Sequence, residues 1–154
     1  GETRNSVAVT VFGIVKTNKL YCSTPKRKAA YVSMGKCFNP NKRPLENLVE
    51  IMSREYHGAR LHKDPKLRIP LACCSYYKFK ESSLNLLESK CPGDLQEVEN
   101  LYDGYARDGL NFLCGEYADD NDKCKNIWSK LPKWTKPLSS NVFLIPMVDL
   151  LNSL

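Results

Sequence analysis

Apolar residues recur at three- and four-residue steps through the middle of this chain, and only its two ends depart from that rhythm. Leu45, Leu48, Val49, Met52 and Tyr56 form a stripe about one helix face wide, opened by Pro44 and ended near Gly58. A further helix is predicted from Leu71 to Cys91, with Cys73, Tyr77, Leu84, Leu87 and Cys91 on one face. The break at Cys91-Pro92-Gly93-Asp94 then predicts a helix capped by Asp94. Its stripe runs through Leu95, Val98, Tyr102, Tyr105, Phe112 and Leu113 to Cys114. Gly104 and Gly109 inside that helix each cost about 1 kcal/mol relative to alanine, so they predict close approach of another helix.

Earlier in the chain, Thr24 as N-cap and Pro25 at the first helical position predict a helix to about Lys36, with Cys22 just before it and Cys37 just after. Those two cysteines are expected to tie the helix ends to its neighbours. Past Cys114, Glu116 to Asp122 reads as an acidic turn. A short helix holding Cys124, Ile127 and Trp128 follows and stops before Pro132. The ends are less regular. Ser6 to Val15 is β-branched and weakly alternating, so propensity alone predicts a short strand, which an all-helical neighbourhood could override. Ser140 to Leu154 is strongly apolar and broken by Pro146, and it is expected to dock as a final helix, with an interaction tail as the alternative. The fold class that follows is all-α: a bundle of about five or six helices in one domain, with at most a β-like segment at the N-terminus.

Seven cysteines in 154 residues turn that bundle into a crosslinked one: Cys22, Cys37, Cys73, Cys74, Cys91, Cys114 and Cys124. Oxidising surroundings would make most of them disulfides contributing roughly 2–4 kcal/mol each, which favours secretion to a reducing cytosol. The adjacent Cys73 and Cys74 point about 100° apart on a helix, so they are expected to reach two different elements. An odd count leaves one thiol over, and an interchain bridge that makes a disulfide-linked homodimer is one use of it. The start at Gly1 without Met or an apolar leader fits a mature secreted product or a trimmed chain. No apolar run approaches the roughly 20 residues that span a bilayer.

Charge divides the chain. Residues 1–90 hold 17 Lys and Arg against 7 Asp and Glu, whereas residues 91–154 hold 6 against 10, within a net charge of +6. A basic body of this kind favours anionic partners such as cell surfaces, sulfated glycans or lipid headgroups. Lys26, Arg27 and Lys28, with Lys63, Lys66 and Arg68 in an exposed loop expected from His57 to Pro70, are the candidate anion contacts. No nucleic-acid recognition module is present.

Candidate chemistry is sparse. His57 and His62 are the two imidazoles, expected at the surface, and neither belongs to a serine elbow or a helical zinc motif. No pair of cysteines has zinc-finger spacing, and Asp119-Asp120-Asn121-Asp122 is followed by Lys123 and Cys124 where a calcium loop needs glycine and further oxygens. No cofactor or metal is expected, and the chain reads as a non-enzyme. Tyr76, Tyr77, Phe79, Tyr102, Tyr105 and Phe112 are the candidates to line an apolar ligand cavity, or else to form ordinary core.

The stretch Arg68-Ile69-Pro70-Leu71-Ala72-Cys73-Cys74-Ser75-Tyr76-Tyr77, with Cys91-Pro92-Gly93-Asp94-Leu95 and Leu110-Asn111-Phe112-Leu113-Cys114-Gly115-Glu116-Tyr117, resembles small secreted cysteine-rich proteins of ticks, horseshoe crabs and other arthropods, over roughly residues 22–130. In size, charge and tandem cysteines it is most similar to horseshoe-crab haemocyte aggregation factors. Those in turn resemble tetraspanin extracellular loops, where glycine follows the cysteine pair and this chain has Ser75. The pattern ending in Phe112-Leu113-Cys114-Gly115 is similar to insect haemolymph glycoproteins. The resemblance implies a haemolymph or haemocyte-granule protein of aggregation or innate defence that binds cell surfaces and bridges them, and it supplies no catalytic residue. The residues themselves leave two alternatives: a carrier of a lipid or other small apolar ligand, and a cationic antimicrobial or toxin-like protein.

Overall fold

A computed structural model describes residues 2–117, 121–139 and 144–154. Among them the chain is helical, with α1 at Glu2–Tyr21, α2 at Pro25–Phe38, α3 at Lys42–Arg60 and α4 at Arg68–Glu88. α5 follows at Leu95–Cys114, α6 at Asn121–Trp128 and α7 at Leu144–Leu151, and no strand occurs among the described residues. Asp119, Asp120 and the stretch from Ser140 to Phe143 lie outside the described residues.

Local signals account for most boundaries. Thr24 accepts a hydrogen bond from the Arg27 backbone N–H at 3.2 Å, with Pro25 next to it opening α2. Asp94 does not cap α5 as expected: its carboxylate accepts from the Ser33 hydroxyl at 2.6 Å, tying α2 to the start of α5. The expected loop from His57 to Pro70 is much shorter, because α3 runs on to Arg60 and α4 begins at Arg68.

The segment from Ser6 to Val15, which propensity assigns to a strand, lies inside α1. The reason is what it packs against. α1 runs antiparallel to α5 and presents small residues to it: Thr10 meets Gly109, and Thr17 meets Gly104. A Cβ on Gly104 would sit 2.6 Å from the Thr17 Oγ1, and one on Gly13 would sit 3.0 Å from the Tyr105 carbonyl oxygen. The close approach expected at Gly104 and Gly109 is therefore present, with α1 as the partner. Tertiary burial of a small-residue face outweighs a propensity difference worth about 1 kcal/mol at most per residue.

Two apolar clusters hold the bundle. One joins Met52, Tyr56 and Ala59 of α3 to Leu71 and Ala72 of α4, Ile127 of α6 and Leu150 of α7. The other joins Tyr21, Met34, Leu87, Val98 and Leu101 across α1, α2, α4 and α5. Disulfides link Cys37 to Cys91, Cys73 to Cys114 and Cys74 to Cys124, so the tandem cysteines of α4 do reach two elements, the end of α5 and α6. Cys22 is unpaired and exposed at the end of α1, and does not tie α2 to a neighbour as expected.

His57, expected at the surface, is buried. Its ring stacks on Trp134 with centroids 4.6 Å apart, and among the described residues neither the His57 Nδ1 nor the Trp134 Nε1 has a hydrogen-bond partner. Gly58 beside it admits the Pro132 backbone so closely that a Cβ there would collide with the Pro132 carbonyl oxygen. Burial, and then the Arg60 charge, push the His57 pKa below its ordinary value, partly opposed by Asp149. The unfolded chain takes up this proton near pH 6.5 and the folded one only at lower pH. Stability contributed by neutral His57 is therefore complete above about pH 6.5 and falls as the pH drops toward the folded pKa. Urea unfolding at about pH 7.5 and 5.5 is expected to give a smaller pH difference for His57→Gln than for wild type; equal differences would show that other groups carry the dependence.

Candidate functional site

Where the first cluster meets the α1–α5 pair, the interior is not filled. An apolar cavity of about 340 Å³ lies there, walled by α1, α3, α4, α5 and α7. Its origin is in the composition of its walls. Thr10 and Gly109, which meet where α1 and α5 approach, also line the cavity beside the small Ala106, and Ile14 is the one large side chain that α1 contributes. Met52 and Tyr56 form the α3 wall, Ala72, Tyr76 and Phe79 the α4 wall, and Leu144, Met147, Leu150 and Leu151 close it from α7.

Among the described residues the lining contains no Lys, Arg, His, Asp or Glu. Its hydroxyls are tyrosines and Thr10, and most are engaged. Tyr76 donates to the Tyr102 carbonyl oxygen at 3.3 Å, the Tyr102 and Ser83 hydroxyls meet at 2.5 Å, and Tyr105 donates to the Asn18 side-chain oxygen at 2.9 Å. Thr10 donates back to the Ser6 carbonyl oxygen at 3.0 Å. Burial raises the pKa of Tyr56, Tyr76, Tyr102 and Tyr105, so all four remain neutral donors at physiological pH.

Four of the six aromatic candidates, Tyr76, Phe79, Tyr102 and Tyr105, come together on this cavity. Tyr77 does not line it, and Phe112 is exposed on the outside of α5. Tyr56, Met52, Ile14 and the α7 residues were not singled out as lining. The α3 pair was visible only as a helix stripe, and nothing local shows which stripes leave space between them. The basic candidates fall on separate elements. Lys26, Arg27 and Lys28 lie in the first turn of α2 and Lys63 and Lys66 in the turn after α3. Arg68 is partly buried, donating to the His62 carbonyl oxygen at 3.0 Å and the Ser153 carbonyl oxygen at 2.5 Å.

Among the described residues no group of three or more His, Cys, Asp or Glu could hold a metal ion, and no helix is long and apolar enough to cross a membrane. Comparison with protein-family models, with curated proteins and with solved structures finds no match to this chain.

Proposed function

We propose that this chain is a secreted, non-enzymatic carrier of a small, neutral, apolar molecule. The observation that carries the reading is the cavity of about 340 Å³ with no charged residue on its wall. An apolar void of roughly 150 Å³ already holds benzene, and ligand sites begin near 300 Å³, so this one suits a compact ring system or a short acyl chain. A carboxylate buried there without a cation would cost several kcal/mol, which disfavours fatty-acid anions. Three disulfides support an oxidising, extracellular setting. The absence of both histidines from the cavity wall supports binding over catalysis.

The bridging role in cell aggregation or host defence is a second reading, favoured by Cys22. As the unpaired, exposed cysteine it could link two copies, and two copies are what a bridging protein needs. Native mass spectrometry of the protein purified from its source tests both. A monomer carrying extra mass that extracts into organic solvent is expected. Ala106→Trp, which places a large ring into the cavity from α5, should lose that mass while keeping its melting temperature. A ligand-free dimer that collapses on reduction would reject the carrier and favour the bridging protein.

A further inference from the structure

The outward face of α1 is its apolar one. Thr10, Gly13 and Thr17 face α5, whereas Val11, Phe12 and Val15 occupy the opposite arc and are exposed, Phe12 at 61%. Lys16 lies 4.0 Å from Asp108 across the antiparallel pair. On α5, Phe112 is exposed as well, at 55%. The apolar arc is bounded along its own line by basic residues, Arg4 four positions before Ala8 and Lys19 four after Val15. Across α1 and α2, residues 2–38, seven Lys and Arg stand against a single Glu.

We propose that this face docks on an anionic lipid bilayer, α1 lying in the surface with Phe12, Val11 and Val15 among the acyl chains and Arg4 and Lys19 at the headgroups. Basic residues around an exposed apolar helix face are the composition that binds such surfaces, and each strengthens binding to a phosphatidylserine-containing membrane about fivefold. Their long stems lie along apolar surface while the charged ends reach the phosphates. Charge argues against a second copy of the chain, because a two-fold dimer through this face would bring two strongly basic helix pairs together. Thr10 and Ile14 of the same helix line the cavity, so docking would bring the cavity within about one helix diameter, ~10 Å, of the membrane. The docking does not depend on what the cavity holds.

Sedimentation with phosphatidylcholine vesicles, with and without phosphatidylserine, tests this on the whole chain. Wild type should sediment with the phosphatidylserine vesicles and be released as salt is raised. Phe12→Ser/Val15→Ser should bind at least about tenfold more weakly. Both substitutions are at exposed positions, and an unchanged thermal melt will show that the variant is folded. Wild type that stays in the supernatant with both vesicles overturns the proposal. So does a folded double variant that binds as tightly as wild type, or a wild-type dimer that binds no vesicle and that Phe12→Ser dissociates.

Discussion

Deletion of residues 144–154 is expected to lower the unfolding free energy by at least about 3 kcal/mol and the melting temperature by roughly 10 °C. α7 buries Leu150, Leu151 and Pro146, and full burial of each leucine contributes roughly 1.5–3 kcal/mol before the cost of ordering the helix. Beyond α7, the Ser153 carbonyl oxygen accepts from Arg68, and Asp149 lies 3.8 Å from Arg60. The same deletion removes one cavity wall, so it should abolish retention of an apolar ligand and raise binding of a hydrophobic dye. Circular dichroism melts with and without urea measure the first effect and dye fluorescence the second. An unchanged melt would mean that the C-terminal segment is an interaction tail rather than part of the core.

Replacing Cys73 and Cys114 by alanine is expected to cost roughly 4 kcal/mol, because the bond closes a loop with a sequence separation of 41. Both cysteines are buried and both line the cavity, so the loss combines a freer unfolded chain with a looser wall at the end of α5. Cys74–Cys124, with a separation of 50, should show a similar cost on its own. The two bonds leave adjacent residues of α4, so their removal together will not be additive. Chemical denaturation measures the free energies. Hydrogen exchange locates them: protection should fall first from Leu110 to Cys114 for the Cys73–Cys114 variant. Unchanged protection there would show that packing alone holds the end of α5.

The helices that the sequence predicts well are those whose signals are local. The α3 stripe from Leu45 to Tyr56 and the proline and threonine at the start of α2 need no knowledge of the partner, and both elements are present. Asp94 shows the limit of the same reasoning. It sits where an N-cap belongs, yet its carboxylate takes the Ser33 hydroxyl from another helix. His57 shows it again, since the position reads as a helix end near solvent until residues 129–139 cover it.

For the cavity, the sequence offers six aromatics without separating those that face it, and the expected α4 stripe carries Tyr77, yet Tyr76, Phe79, Tyr102 and Tyr105 are the ones that line it. Tyr77, one position from Tyr76, and Phe112, about two turns beyond Tyr105, lie outside the lining. Whether aromatics form core or line a void depends on the volume of what faces them. Here Thr10, Ala106 and Gly109 are small, and which side chains they face is set only when the helices dock.

The sequence alone determined that this protein is an all-helical, crosslinked domain with a basic first part, because helix periodicity, caps and cysteine count act within a turn or two of chain. It also determined that Cys73 and Cys74 reach different elements, since adjacent residues on a helix diverge by about 100°. Tertiary structure decided the rest: which cysteines pair, that Ser6 to Val15 is helical, that α1 turns its small residues inward and its apolar ones outward, and that a cavity remains. Each of these depends on the distance and volume between surfaces far apart in sequence, which only the docked helices define.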